Sequence, residues 1–108
     1  MKSILYQIQN HREADIQAWL LNKLYLNGIE AHLEYKIGTL RVDVAIISKD
    51  MKIICVIEVK DSHRPALERL IRTRQYQKYS DLGIPFFYCF GYSEIEDTLK
   101  QVLSIQSD

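Results

Sequence analysis

The sequence predicts one α/β domain spanning residues 1–108, with a mixed central sheet flanked by helices. A length of 108 residues fits one domain, and a hydrophobic content of 47% is enough for one core. Along the chain, helical spacing of apolar residues gives way to three strand-like runs, and then to alternating helix and strand. This order predicts an α/β sandwich around one mixed sheet.

The first element is expected to be a helix that starts at Asn10. Asn10 can act as N-cap, and Glu13 follows three residues later, as in a capping box. Gly28 is a natural stop. Residues 4–9 alternate in polarity and predict either a short edge strand or an irregular lead-in. The inward stripe of the helix is formed by residues four apart: Ile16, Leu20 and Leu24.

Three strand-like runs follow, at Glu30–Ile37, Leu40–Ile47 and Ile53–Lys60. The third run is apolar on both faces until Glu58, which is expected of a central strand. The segment from Ser48 to Met51 supplies a hairpin turn between the second and third runs. In the second run, one face is expected to carry the alternating apolar residues Val42, Val44 and Ile46.

A second helix is predicted from residues 62–63 to Asp81, before Gly83. Pro65 is favourable in its first turn. A fourth strand, Pro85–Phe90, is rich in aromatic residues. Ser93 is the expected N-cap of a last helix, whose first turn carries acidic residues that favour the helix dipole.

Charge and cysteine usage narrow the classes of function. The chain has 14 basic and 14 acidic residues, so it is not a generic basic nucleic-acid coating protein, and any such contact needs a local patch. Cys55 and Cys89 sit in apolar runs and are expected to be buried, and no CxxC spacing indicates zinc. No signal peptide or membrane-spanning stretch is evident, which predicts a soluble, intracellular, cytoplasmic protein.

Three residues carry the chemistry. Glu58 and Lys60 are two apart on a strand and therefore share a face. A two-residue loop at residues 50–51 would place Asp43 opposite Glu58, and one at residues 49–50 would place it one step away diagonally. Either register puts all three side chains on one face, whereas an odd loop would separate them.

Two neighbouring carboxylates in a strand interior repel each other, and a divalent cation would neutralise them. Their oxygen ligands suit Mg²⁺ or Mn²⁺, beside which Lys60 would orient water or stabilise a phosphate. The alternative is a surface network in which Asp43 pairs with Lys60 or Arg41. The apolar run before Glu58 favours the metal site.

The segments Arg41–Ala45 (RVDVA) and Val56–Lys60 (VIEVK) resemble the signature of the PD-(D/E)xK nuclease superfamily. The fifteen-residue spacing between Asp43 and Glu58 across a hairpin is typical of it. Val42 stands in place of the proline. The resemblance implies the shared restriction endonuclease-like core, with element order αβββαβ, from about residue 10 to residue 91.

Gln75 and Tyr79 lie four residues apart on the second predicted helix, similar to the QxxxY motif of RecB-type nucleases. The resemblance implies a place for them near the active site or the DNA backbone. The alternative is a half-buried Tyr79 with a solvated Gln75. Many members also carry a helical glutamate as a metal or water ligand, which Glu13 matches. The alternative for Glu13 is the capping box.

The resemblance implies a Mg²⁺-dependent nuclease that hydrolyses DNA, with an endonuclease as the expected form. Asp43, Glu58, the Val59 carbonyl and Glu13 would bind metal, and Lys60 would act on water with help from Gln75. The expected DNA contacts are Arg64, Arg72, Lys78 and Tyr79, although a basic helix face of this kind is also compatible with simple solvation.

Small members of the superfamily, such as stand-alone VRR-NUC proteins and Holliday junction resolvases, suggest a homodimer. Two other readings stay open. One is a non-catalytic module that uses the same fold to bind nucleic acid or a protein. The other is an unrelated α/β domain whose acids form surface pairs.

Overall fold

The computed structural model describes the backbone of residues 4–61 and 65–106, and the side chains of residues 12–61, 69, 73–74 and 76–105. It is a mixed α/β fold with helices around a four-stranded sheet, as the sequence predicts. A short 3₁₀ turn, Tyr92–Glu94, precedes the last helix. The helices and strands, in chain order, are α1 Ile4–Leu26, β1 Ala31–Ile37, β2 Leu40–Ile47, β3 Ile53–Lys60, α2 Pro65–Leu82, β4 Phe86–Phe90 and α3 Ile95–Gln106.

The sheet has the strand order β1-β2-β3-β4. The first three strands form an antiparallel meander, and β4 pairs in parallel with β3 after the α2 crossover. The strand β3 is therefore internal, which matches its nearly continuous apolar sequence. This topology places the end of β3, with Glu58 and Lys60, between the ends of two neighbouring strands.

Two hydrophobic cores lie on the two faces of the sheet. The α1–α3 core contains the predicted stripe of α1, whose three residues are fully buried. The α2 core, on the other face, contains Tyr79 of α2. Sheet residues of the α1–α3 core are Val44, Ile46, Cys55, Ile57, Val59 and Cys89. Sheet residues of the α2 core are Val42, Ala45, Ile47 and Val56.

The start of α1 differs from the prediction. The helix begins at Ile4, so residues 4–9 are neither a strand nor an irregular lead-in, and Asn10 is inside the helix instead of capping it. Ile8 and Ile4 continue the four-residue spacing on the other side of Arg12, and no glycine or proline interrupts the segment. Glu13 consequently lies in the third turn of the helix, and the capping box is wrong.

The ends of the helices follow local backbone chemistry. Gly28 has φ of 74° and its amide donates to the Tyr25 carbonyl, which ends α1 as predicted. Ser93 does not cap α3, because it lies within the 3₁₀ turn, and Gly91 is the cap residue of that turn. In the described part of the chain, no helix has the length and apolarity needed to span a membrane.

Candidate active site

The β2–β3 turn has an odd number of residues. The Ser48 amide donates to the Lys52 carbonyl, which leaves residues 49–51 as a three-residue loop. Met51 adopts a left-handed conformation with φ of 66°, as the last residue of such loops commonly does. By itself, this odd loop would place Asp43 and Glu58 on opposite faces of the sheet.

A β-bulge compensates for the odd loop and returns Asp43 and Glu58 to the pairing register that the sequence predicts. Ile47 pairs with Ile53, whereas Ile46 pairs with Cys55, so Ile54 is one extra residue on β3. The three-residue loop and the one extra residue of the bulge add up to an even number, so strand residues beyond the bulge pair as they would across an even-numbered loop. Beyond the bulge, Val44 pairs with Ile57, and Asp43 and Glu58 are the residues that directly follow this last pair of the ladder. The predicted neighbours therefore meet, although the turn that joins their strands is not the one expected.

The side chain of Asp43, instead of its backbone, forms the next hydrogen bond between β2 and β3. Its Oδ2 atom accepts a hydrogen bond of 2.8 Å from the backbone amide of Val59. The amide of Val56 and the carbonyl of Lys60 bond towards β4, so the alternate residue Val59 presents its amide and carbonyl towards β2. The Val59 carbonyl, a predicted metal ligand, thus lies on the same side of β3 as Asp43.

The sheet is irregular where Asp43 lies. Val44 packs in the α1–α3 core and Val42 in the α2 core, although residues two apart on a regular strand share a face. The prediction that Val42 and Val44 lie on the same face of the sheet is therefore wrong. Opposite this point on β1, Glu34 has φ of 51°, which breaks the regular pleat. The break allows Asp43 to leave the ladder and reach the Val59 amide.

Glu58 is a buried carboxyl group, only 5% exposed. Its Oε1 atom accepts a hydrogen bond of 2.6 Å from the Tyr79 hydroxyl, and Tyr79 is itself 4% exposed. The bond joins α2 to β3 across the α2 core. The resemblance placed Tyr79 near the active site or the DNA backbone, and the alternative was a half-buried aromatic. Neither prediction specified a hydrogen bond to Glu58.

Burial, together with the negative charge of Asp43, raises the pKa of Glu58 to about 8. A side-chain hydrogen bond with Asp43 acts in the same direction, because the protonated Glu58 carboxyl can donate to Asp43. The Tyr79 hydroxyl and the Lys60 ammonium oppose the rise, since both favour the charged form. The two carboxyl groups are thus close enough to repel each other strongly.

Glu13 reaches the same cluster from α1. Burial raises the pKa of its carboxyl group, and the charge of Asp43 adds to the rise, whereas Lys60 lowers it. The backbone of Asp61 also donates a hydrogen bond to Glu13, which ties α1 to the end of β3. The structure therefore brings Glu13 together with Asp43 and Lys60, as the resemblance implies.

Two further residues at this edge were not singled out in the sequence. Arg12 forms an ion pair of 3.6 Å with Asp61, whose side chain is 20% exposed. Asp61 directly follows Lys60, and Arg12 directly precedes Glu13. Adjacency to the predicted site is the signal that could have found them. The pair holds α1 against the carboxyl end of β3.

The predicted metal ligands are two strand carboxylates, one carbonyl and a helical glutamate. Within residues 12–61 and the described side chains after them, no three or more His, Cys, Asp or Glu side chains form a metal-binding group. Asp43 and Glu58 are the adjacent carboxylates. Mg²⁺ is commonly held by one or two carboxylates with waters completing its shell, so this donor set is compatible with it.

The remaining predicted residues lie on α2 or just before it. Arg64 lies outside the described residues, and the side chains of Arg72 and Gln75 lie outside the described side chains. Lys78 is exposed. The basic surface and the roles of these residues stay predictions.

Comparison with known proteins adds no relative. No family model, curated protein or solved structure matches the chain. The site must therefore be interpreted from its own geometry.

Proposed function

We propose that the protein is a Mg²⁺-dependent nuclease that hydrolyses phosphodiester bonds of DNA, with a restriction endonuclease-like αβββαβ core. The observation that carries the proposal is the close pairing of the Asp43 and Glu58 carboxyl groups beside Lys60. Burying one of two adjacent acids costs free energy, and surface ion pairs alone would not compensate for that cost. A site that binds a divalent cation would compensate for it, because the cation neutralises both charges.

Asp43, Glu58 and the Val59 carbonyl are the groups that would hold the metal ion, with Glu13 as a further direct or water-bridged ligand. A metal ion bound there would supply Lewis-acid stabilisation of a phosphate oxygen and lower the pKa of a bound water. Mg²⁺ and Mn²⁺ both accept carboxylate and carbonyl oxygen. The Tyr79 hydrogen bond leaves the second oxygen of Glu58 for this role.

The chain's own residues have distinct tasks in this proposal. Lys60 lies beside Glu58 and Glu13, where its ammonium group would orient an attacking water or stabilise charge on the phosphate. Tyr79 positions the Glu58 carboxylate. Gln75 is proposed to assist at the water, and Arg64, Arg72 and Lys78 to contact the phosphate backbone.

The test is cleavage of single-stranded, duplex and branched DNA with Mg²⁺ or Mn²⁺, alongside RNA of the same sequence. Asp43→Ala and Lys60→Ala should each lower kcat by about 100-fold or more. Asp43→Ala should also abolish Mn²⁺ binding measured by calorimetry, whereas Lys60→Ala should retain it. Lys49→Ala is the matched control for Lys60→Ala, because Lys49 is an exposed lysine of the β2–β3 loop, outside both the cluster and the proposed phosphate contacts. Undiminished cleavage by both site variants would rule out the assignment.

A second candidate is a non-catalytic module with the same fold. One observation favours it: within the described part of the chain, the acids do not form a three-ligand metal group. A zero net charge is also unusual for a dedicated DNA-binding surface. This candidate predicts oligonucleotide or protein binding that is unchanged by Mn²⁺ and by Asp43→Ala.

A double-strand cut by a chain of 108 residues would require two active sites, so we propose a homodimer for that reaction. Sedimentation at working concentration tests it, and a monomer at all concentrations would contradict it. Cys55 and Cys89 are free and buried, which fits a reducing compartment such as the cytoplasm.

A further inference from the structure

Two exposed aromatic side chains meet beside the candidate site. Trp19 of α1 is 54% exposed and Tyr92, after β4, is 48% exposed. Their rings contact edge to face, with centroids 6.5 Å apart and planes at 89°. The Tyr92 hydroxyl donates a hydrogen bond to Asp15, which fixes the orientation of its ring. Large aromatic groups are held in place here without being buried.

The pair is connected to the candidate site through α1. Arg12, Asp15 and Trp19 are three and four residues apart, so they lie along one face of the helix. The first of them contacts Asp61, and its neighbour Glu13 belongs to the acid cluster. Trp19 lies six residues beyond Glu13, about 9 Å along the helix. This equals the rise of a few nucleotides in a strand, at ~3.4 Å each.

A cavity of about 440 Å³ opens beside the two rings, lined by Trp19, Lys23, Tyr92, Ile95 and Glu96. Its charged residues neutralise each other, because Lys23 and Glu96 form an ion pair of 2.6 Å. Asp61 is likewise paired with Arg12, whereas Asp15 accepts a hydrogen bond from the neutral Tyr92 hydroxyl and keeps its negative charge. The surface next to the rings therefore carries no excess of positive charge.

We propose that Trp19 and Tyr92 form a stacking site for an unpaired nucleobase that flanks the scissile phosphate. The proposal rests on the proposed nuclease function and specifies its substrate class: nucleic acid with a single-stranded segment beside the cut. An exposed ring stacks on any base, so such a site needs no sequence readout. A base inside a duplex has both faces covered and cannot use these rings.

The absence of excess positive charge on this face also predicts how binding depends on salt concentration. Few phosphate contacts are available on this face, so the affinity for a short single strand should depend weakly on salt concentration. A site built from lysine and arginine would instead lose affinity steeply as salt increases. The contribution of the rings should be similar for thymine and adenine strands.

The chain contains one tryptophan, so its fluorescence reports directly on this site. Oligothymidylate titrated into the full chain in EDTA should quench the emission, and a blunt duplex should quench far less. Tyr92→Ala should weaken the single-strand affinity by about tenfold. Tyr25→Ala is the control, because Tyr25 is an exposed tyrosine of α1 that lines a different groove, and its loss should leave the affinity unchanged.

Tyr92→Phe keeps the ring and guards against misfolding of the alanine variant; it should retain most of the affinity. Absence of quenching, or equal quenching by blunt duplex, would overturn the proposal. A fluorescence change with protein concentration alone would also overturn it, because it would assign the rings to an interface between copies. The titration uses no metal, so a protein that binds single strands but never cuts would refute the nuclease function and leave the stacking site standing.

Discussion

The Tyr79 hydroxyl donates a 2.6 Å hydrogen bond to Oε1 of Glu58, inside the protein. This contact connects the helix after the strand hairpin to the acid that the site depends on. Both side chains are nearly inaccessible, so the bond cannot be exchanged for one to water without cost. The helix α2 thereby fixes one oxygen of Glu58 next to the charges of Asp43 and Lys60.

Replacing Tyr79 with phenylalanine should destabilise the protein by about 1–2 kcal/mol, because Glu58 loses a buried donor. The pKa of Glu58 should rise further, since the Tyr79 hydroxyl lowers it. Urea unfolding and the pH dependence of Mn²⁺ binding measure the two effects. Tyr76→Phe is the control on the same helix: its side chain is exposed, and the change should stay within ~0.5 kcal/mol. Equal effects of the two substitutions would contradict the role of the bond.

Stability in EDTA should fall as pH rises from about 5 to about 8. The pKa of Glu58 is raised in the folded state, so the folded protein holds a proton that the unfolded chain has already released in this range. The stabilisation is complete below the unfolded pKa of Glu58 and is lost as pH rises through the folded one. The slope for one proton is at most about 1.4 kcal/mol per pH unit.

Glu58→Gln removes this proton linkage and tests the attribution. The variant should show a flatter profile than the parent and be more stable than it at pH 8–9, while Oε1 of the glutamine can still accept from Tyr79. Mg²⁺ should restore stability to the parent alone, since only the parent keeps both carboxylates of the proposed metal site. Parallel stability profiles of the two proteins would assign the pH dependence to other groups.

The strands were the most predictable part of the fold, because their apolar runs are bounded by glycine and turn residues. The predicted helix starts at Asn10 and Ser93 were wrong. The first helix continues through Asn10 because apolar residues before it extend the helix, and the last helix is preceded by a 3₁₀ turn that Gly91 caps. Capping is worth only about 1 kcal/mol, which packing readily exceeds.

The sequence predicts which residues form the candidate site, but not the backbone arrangement that brings them together. Strand periodicity places Glu58 and Lys60 together, and the spacing to Asp43 indicates a hairpin. The odd loop and the bulge at Ile54 compensate each other, and no local sequence signal reveals either one. The Tyr79 bond depends on how α2 packs on the sheet, which is a long-range property.

Glu13→Gln should lower Mn²⁺ affinity by about tenfold and leave α1 intact, because Glu13 is an interior helix residue and not a cap. The carboxylate faces Asp43, Lys60 and the Asp61 backbone, where its charge would support a bound cation. Calorimetry with Mn²⁺ measures the affinity, and circular dichroism measures helicity. Glu30→Gln is the control, as Glu30 is exposed and pairs with His32. Unchanged affinity in the Glu13 variant would remove it from the ligand set.

The end of β3 also depends on a residue without a side chain. Gly91 has φ of 76°, its amide donates a 2.7 Å hydrogen bond to the Lys60 carbonyl, and a Cβ atom there would lie 3.2 Å from the Asp61 carbonyl oxygen. Gly91→Ala should therefore combine backbone strain of about 1–2 kcal/mol with a crowded contact that shifts Lys60 and Asp61.

Gly38→Ala separates the two effects. Gly38 has φ of 61°, but a Cβ atom there would meet nothing within 4 Å. Both variants should lose stability in urea, with the larger loss at Gly91, and only Gly91→Ala should also reduce Mn²⁺ affinity and cleavage. If Gly91→Ala loses stability alone and keeps full metal binding, the close approach of Gly91 to β3 does not position the site.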